Sequence, residues 1–330
     1  MSRPVPRARG VLLTVLVLAL SACGALPGGG PGGPDDTAPE VVADGSPTQP
    51  ASLVYGDTAG VEAYARPGGL VVAGRDNFDD PAFAEVSRAG GSVLLYLDPV
   101  IDNAYGRYHR LLLGASACGP AVPDWPGSPV ANDYGSLADF RVGSVLQDKL
   151  PCVLETMVAE NPRMAGWFAD DVGSRSWFPE IDWDSWSPEA QQAYRDGAIA
   201  LTRTFRRVAD AHGLVVVVNG TWTAGDLAGA GGGYPDPEQH GNALADGGFV
   251  ENHDTGVAFF TDYACSPQWA AESPVTEGRA INFAVTRTDE GLQAYVDSGC
   301  FAYAQRHETY DLVRPWAGNR DIGLPTEVAD

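Results

Sequence analysis

Short apolar runs recur along this chain from about residue 53 onward, separated by amphipathic segments. Such alternation predicts a parallel sheet covered by helices. The clearest runs predict seven strands, at residues 70–73, 92–97, 166–169, 214–218, 248–250, 281–285 and 300–304.

A weaker eighth strand is predicted at residues 111–115. The amphipathic segments predict helices at residues 81–89, 142–160, 187–211 and 290–297, the third starting with a Ser187 cap and Pro188 in its first turn. Eight strand–helix units in a chain of 330 residues predict an α/β fold, a (β/α)8 TIM barrel.

The N-terminal region carries a targeting pattern. Three arginines precede an apolar run at 11–20 that is too short to span a bilayer comfortably, which indicates a secretory signal. The following Ser21-Ala22-Cys23 resembles a bacterial lipobox, whose cysteine is lipidated after cleavage; an ordinary signal peptide is the alternative. We therefore predict a lipoprotein signal peptide at 1–22, a Gly/Pro-rich disordered tether at 23–51 and a barrel at 52–330.

This pattern predicts a protein of the bacterial cell envelope, anchored by lipid on the outer face of the cytoplasmic membrane. The lipid is its only expected contact with the membrane. The charge balance is strongly acidic, 21 basic against 43 acidic residues for a net charge of -22, which argues against nucleic-acid binding. We expect a soluble, monomeric extracellular domain.

Four cysteines follow Cys23, an even set in an exported chain, which favours two disulfides over a metal site. Three pairings are open. We favour Cys118 with Cys152 and Cys265 with Cys300, because each pair is then local in the chain.

Polar residues follow nearly every predicted strand. In a barrel the chemistry is expected at the C-terminal ends of the strands. Solvated strand ends and helix caps are the alternative explanation. These residues are Arg75, Asn77, Tyr96, Asp98, Asp170, Asp171, Asn219, Glu251, His253, Arg287, Gln305 and His307.

Strand parity selects among them, because alternate side chains of a strand point to one face. Asp171 then faces the helical layer or caps the following loop. Three strand ends offer an inward hydrophobe followed two residues later by an inward polar group: Phe168 with Asp170, Val217 with Asn219, and Phe249 with Glu251.

Two carboxylates across a barrel mouth are the minimal equipment for glycoside hydrolysis. We predict Asp170 as nucleophile or base and Glu251 as general acid, since partial enclosure by aromatic walls would suit Glu251 to donate a proton. The structural alternatives are that Asp170 caps a helix and that Glu251 pairs with Arg287.

Aromatic residues near these carboxylates favour a sugar ligand, because tryptophan and tyrosine faces stack on pyranose rings. Trp177, Phe178, Trp183 and Trp186 follow Asp171, and Trp222 follows Asn219; packing of the loops onto the barrel is the alternative. The predicted substrate-binding residues are Arg75, Tyr96, Asp98, Asp171, Trp177, Asn219, Trp222, His253, Arg287 and Gln305.

The segments 166–172, 216–220 and 248–251 together resemble the hypothetical glycosyl-hydrolase-like TIM barrels, family 15 of that series. They are also similar to the endo-α-1,4-polygalactosaminidases of glycoside hydrolase family 114. The resemblance covers residues 163–254 and implies catalytic positions for Asp170 and Glu251 and a substrate contact for Asn219. The chain departs from the pattern at Ala169, where a bulkier residue is usual, and in a long insertion at 225–248.

Other chemistries fit less well. The five histidines show neither HxH nor HExxH spacing, so we expect no metal and no cofactor. Acidic segments at 182–184 and 235–238 lack an EF-hand pattern and favour solvated loops over calcium sites. The predicted function is hydrolysis of O-glycosyl bonds in a polysaccharide or oligosaccharide; a catalytically inactive carbohydrate-binding lipoprotein and an unrelated scaffold lipoprotein are the alternatives.

Overall fold

The protein is represented by a computed structural model. The structure describes residues 51–54, 58, 60–67, 69–74, 77–102, 106–127, 135–173, 181–219, 245–250, 283–286 and 301–304. Its strands are β1 Ala51–Val54, β2 Leu70–Ala73, β3 Ser92–Leu97, β4 Ile101–Asp102, β5 Ser136–Leu137, β6 Gly166–Ala169, β7 Val215–Asn219, β8 Gly247–Val250, β9 Phe283–Thr286 and β10 Phe301–Ala304. Its α-helices are α1 Pro81–Arg88, α2 Arg107–Leu113, α3 Val145–Glu160 and α4 Pro188–His212.

Eight of these strands form one sheet in the order β1-β2-β3-β6-β7-β8-β9-β10, and every pairing in it is parallel. The connection from β3 to β6 carries a separate two-stranded antiparallel pair, β4 with β5. A mixed α/β fold built on a parallel sheet is therefore confirmed.

The two faces of the sheet pack differently. On one face the described buried side chains come from strands alone and pack on one another: Leu53, Leu70, Val72, Leu94, Tyr96, Phe168, Val215, Val217 and Phe249. On the other face Val93, Trp167 and Val216 belong to a larger cluster that includes Phe83 of α1 and Leu201 of α4. The predicted parity is thus confirmed for Phe168, Val217 and Phe249.

The strand order begins at β1 and ends at β10. Cα atoms of these two strands approach to within 8 Å.

Local signals in the sequence set the ends of the helices. The Ser187 hydroxyl accepts a hydrogen bond from the Ala190 amide at 3.2 Å at the start of α4, and Gly213 ends the helix with a left-handed φ of 65°. At α1 the Asp80 carboxylate accepts from the Ala82 amide at 2.9 Å. The start of β6 requires glycine, since a β-carbon on Gly166 would overlap the Val215 carbonyl oxygen of β7.

The weak eighth strand predicted at 111–115 is wrong. Residues 111–113 lie in α2, whose buried positions Tyr108, His109, Leu112 and Leu113 have helical spacing. The remaining strand of the sheet is β1, and its first residue, Ala51, lies inside the predicted tether at 23–51. Four apolar or small residues beside a Pro-rich segment carry too little period to separate a strand from a linker.

Cys118 and Cys152 form a disulfide, which confirms one predicted pairing. Cys23, Cys265 and Cys300 lie outside the described residues, as do the predicted signal peptide, the tether up to residue 50 and the predicted helix at 290–297. Within the part of the chain that the structure describes, no helix has the length and apolar character needed to cross a membrane.

Candidate active site

Three neighbouring strands bring polar side chains to one level at their C-terminal ends. Leu97 of β3 pairs with Ala169 of β6, and Ala169 pairs with Val218 of β7. The next residue along each chain segment is Asp98, Asp170 and Asn219, respectively. The sheet therefore places these three residues side by side, as expected for the C-terminal edge of parallel strands.

The carboxylate of Asp170 lies at the centre of this group. The Tyr96 hydroxyl donates a hydrogen bond to its Oδ2 at 2.6 Å, and the Asn219 side-chain amide donates to its Oδ1 at 2.8 Å. The backbone amide of Asp171 donates to the same Oδ1 at 3.1 Å. Donors of this kind favour the ionised carboxylate, because they stabilise its negative charge more than the neutral acid.

Tyr96 reaches Asp170 from the cluster of buried strand side chains on one face of the sheet, the strand-only core. Its ring stacks on Phe168 with centroids 6.0 Å apart, and Phe168 packs edge-on against Phe249 at 5.2 Å. Tyr96 is only 6% exposed and Asn219 only 7%, whereas Asp170 is half-buried. Asp170 and Asn219, both predicted to point inward, are hydrogen-bonded to each other, and Asp170 caps no described helix.

Asp98 lies on the other side of Asp170 and is 1% exposed. Its Oδ1 accepts hydrogen bonds from the Val100 amide at 2.9 Å and the Ile101 amide at 3.1 Å. Burial, and then the negative charge of Asp170, raise the pKa of Asp98 to about 8. At neutral pH the Asp98 carboxyl is therefore mostly protonated, beside an Asp170 whose contacts favour the anion.

Asp171 turns its carboxylate towards Asp98, while residues 174–180 of the loop that it is predicted to cap lie outside the described residues. Among the described non-glycine residues it is the one with a positive φ, 56°, and the left-handed backbone breaks the alternation of the strand. Its carboxylate is hydrogen-bonded to Asp98 and is 8% exposed. Aspartate tolerates this conformation better than most residues, but nothing in the sequence marks the position where β6 gives way to it.

Asp98, Asp170 and Asp171 each place a carboxylate oxygen within 4.8 Å of the others. Oxygen ligands at such spacing are compatible with a hard divalent cation. Acidic groups also gather in this way without an ion, and hydrogen bonds already engage Asp98 and Asp170, so the spacing by itself assigns no metal.

The other predicted site residues lie outside the described residues: Arg75, Trp177, Trp222, Glu251, His253, Arg287 and Gln305. Strand β8 lies beside β7, and Glu251 is the residue that follows it in the sequence.

Two tryptophans considered as sugar platforms are packing residues. Trp183 packs edge-on against Tyr194 of α4 at 5.2 Å and is 5% exposed. Trp186 stacks on Trp125 at 5.6 Å, in the connection between β3 and β6. These two side chains pack the segment 181–187, just before α4, against Tyr194 of that helix.

No family model matches the chain, and no curated protein matches it. Among solved structures, the glycoside hydrolase domain of PelA from Pseudomonas aeruginosa is similar at 12% identity and a TM-score of 0.46, over 79% of this chain and 95% of that chain. Trehalose-6-phosphate hydrolase from Bacillus licheniformis is similar at 13% identity and a TM-score of 0.38, over 71% of this chain and 56% of that chain. Structural similarity at TM-scores this low does not indicate an activity. Any activity has to be inferred from the residues of the site.

Proposed function

We propose that this chain is a surface-anchored glycoside hydrolase that cleaves O-glycosyl bonds of a polysaccharide with Asp170 and Glu251. The observation that carries the proposal is the Asp170 carboxylate. It lies half-buried at the end of a parallel strand and accepts hydrogen bonds from Tyr96, Asn219 and the Asp171 amide. A carboxylate whose hydrogen-bond donors favour its anion, and which keeps some exposed surface, is suited to attack an anomeric carbon or to activate water.

The sheet of this enzyme closes into a (β/α)8 barrel. Two observations support closure. Described side chains on one face come from strands alone, as in a barrel interior, and the first and last strands of the order approach each other. In a closed barrel the ends of β3, β6, β7 and β8 lie around one mouth.

Glu251 serves as the general acid in this mechanism. It directly follows β8, the neighbour of the strand that carries Asn219. Glu251 protonates the leaving glycosidic oxygen while Asp170 acts on the opposite side of the sugar ring. Following the anomer of the first product by NMR distinguishes the two routes: retention means that Asp170 is the nucleophile, and inversion means that it activates water.

The first experiment measures new reducing ends released from a panel of cell-wall and microbial exopolysaccharides, including galactosaminoglycans. The proteins are the chain from Gly24 onward and its Glu251→Gln and Asp170→Asn variants. We expect release by the wild type and a loss of at least about 10³-fold in each variant. Glu62→Gln removes an exposed carboxylate near the start of β2 and serves as the matched control with unchanged release.

Two outcomes would contradict the proposal. If Glu251→Gln and Asp170→Asn both keep the wild-type rate, these carboxylates are not catalytic. If the wild type cleaves nothing yet binds members of the panel, the chain is a catalytically inactive carbohydrate-binding lipoprotein that uses the same residues as contacts.

The protein acts at the outer face of the cytoplasmic membrane of a bacterial cell, held there by a lipid on Cys23. The basic start, the apolar run and Ser21-Ala22-Cys23 support this anchor. In a bacterial host we expect Cys23→Ala to move the chain from the membrane pellet to the soluble fraction. An unchanged distribution on fractionation, with wild type alongside, would contradict lipid anchoring.

A further inference from the structure

Tyr96 and Asn219 face the carboxylate of Asp170 more than they face open space. The sequence predicts that both bind substrate. Each is less than 8% exposed, and each directs a hydrogen-bond donor to a different oxygen of Asp170. A side chain with so little free surface has little to offer a ligand, whereas Asp170 retains exposed surface.

We propose that Tyr96 and Asn219 are positioning residues: their hydrogen bonds to the two oxygens of the Asp170 carboxylate hold it in one orientation, with its exposed edge towards the sugar. This inference rests on the proposed function, in which Asp170 is the attacking or activating carboxylate.

These two hydrogen bonds restrict the rotation of the Asp170 carboxylate. Tyr96 binds Oδ2 and Asn219 binds Oδ1, so turning the carboxylate about its terminal bond breaks both contacts. Tyr96 is itself restrained, because its ring stacks on Phe168 inside the strand-only core. Catalytic groups held by locked neighbours are effective because little reorganisation is needed during the reaction.

The two hydrogen bonds also favour the ionised form of Asp170. Two other carboxyl groups, Asp98 and Asp171, lie with their oxygens within 4.8 Å; Asp98 is mostly protonated at neutral pH, and each negative charge that this pair carries opposes ionisation of Asp170. The hydroxyl of Tyr96 and the amide of Asn219 work in the opposite direction by donating to the anion. Removal of either donor leaves the repulsion in place.

The test compares two tyrosine-to-phenylalanine changes in the full chain. Tyr96→Phe deletes the hydroxyl that donates to Asp170 and keeps the ring. Tyr108→Phe is the matched control, because Tyr108 is also a buried tyrosine that donates to a carboxylate, that of Glu160 at 2.8 Å. Asn219→Ser shortens the second donor and provides an independent variant should Tyr96→Phe fold poorly.

The first readout does not need activity. Aspartate labelled with 13C at Cγ is titrated by NMR, and the Asp170 signal is assigned from its absence in Asp170→Asn. We expect the titration midpoint of Asp170 to rise by about one pH unit in Tyr96→Phe and in Asn219→Ser, with no change in Tyr108→Phe. A midpoint unchanged in both site variants would overturn the inference.

The second readout is kinetic, on whichever polysaccharide the wild type cleaves. A positioning role predicts that kcat falls by about 10- to 100-fold in Tyr96→Phe while KM stays within about twofold. A raised KM with unchanged kcat would show that Tyr96 binds substrate and would overturn the inference. If the wild type cleaves nothing, the proposed function fails, while the NMR titration still decides whether Tyr96 and Asn219 control Asp170.

Discussion

At the scale of single residues, Asp98 makes the stability of this protein depend on pH. Its folded-state pKa of about 8 lies above the ordinary 3.8, so the folded chain holds a proton there that the unfolded chain releases. Stability from this group is full below about pH 3.8 and is lost as pH rises toward about 8. We expect the free energy of unfolding to fall by more than about 1 kcal/mol over this range because of Asp98 alone.

Asp98→Asn imitates the protonated carboxyl and should remove this loss. Urea unfolding at a series of pH values measures it, as the difference between variant and wild type at each pH. Asp182→Asn, which changes an exposed carboxylate, is the control and should follow the wild-type curve. Parallel curves for wild type and Asp98→Asn across the range would show that Asp98 does not hold its proton.

Residue-level predictions from the sequence succeeded where strand parity governs. Phe168 and Asp170 share a face as expected, and Asn219 meets Asp170 because β6 and β7 are neighbours in register. Parity fails at Asp171, where the chain leaves the strand with φ 56° and the side chain turns to Asp98. The pKa of Asp98 also required the structure, since burial is a property of the fold and not of the local sequence.

At the scale of elements, a buried ion pair joins α4, β7 and the start of β8. Arg206 of α4 donates through Nη1 to Asp246 Oδ2 at 2.6 Å and through Nη2 to the Leu214 carbonyl at 3.1 Å. The same Oδ2 accepts from the Val216 amide at 2.7 Å, and the Asp246 amide donates to the Val216 carbonyl at 2.8 Å. These contacts hold β8, the strand that leads to Glu251, in register with β7.

Arg206→Met should therefore destabilise the fold, because it removes the cation from a carboxylate with 0% exposure. Breaking such a pair from one side costs about 3–5 kcal/mol. The free energy of chemical unfolding measures the effect, and Arg207→Met, one residue along the helix but exposed, should change it by less than about 0.5 kcal/mol. Equal stabilities for the two variants would mean that the ion pair does not hold β8.

Element-level predictions were good where apolar runs were bounded by turn residues. Strands β2, β3 and β6 begin and end at the predicted residues, and α4 begins after the predicted Ser187 cap. The error at 111–115 arose because a run of leucines has no period of its own and satisfies a strand and a buried helix equally. The helix is chosen by tertiary contact: Leu112 and Leu113 pack into the core beneath it.

At the scale of the whole molecule, the positive charge of the side chains comes almost entirely from arginine. Lys149 is the only lysine among 21 basic residues, and its side chain is 1% exposed. Its ammonium donates to the Gly114 carbonyl and, at 2.8 Å, to the Pro120 carbonyl, and burial lowers its pKa. The chain therefore carries one lysine amine that becomes accessible only when the fold opens around α3.

This lysine offers a single-site measure of opening. In the native chain we expect an amine-reactive acylating reagent to modify Lys149 at least about 100-fold more slowly than in the denatured chain, because burial requires opening before reaction. Reduction of the Cys118–Cys152 disulfide should speed the modification, since the bond ties residues 34 positions apart across the loop that Lys149 holds. Mass spectrometry of the peptide containing Lys149 measures the rate, with the denatured chain as reference. If the native chain is modified as fast as the denatured chain, α3 and this loop do not cover the lysine. If modification is slow and reduction does not change its rate, the hydrophobic core alone protects Lys149.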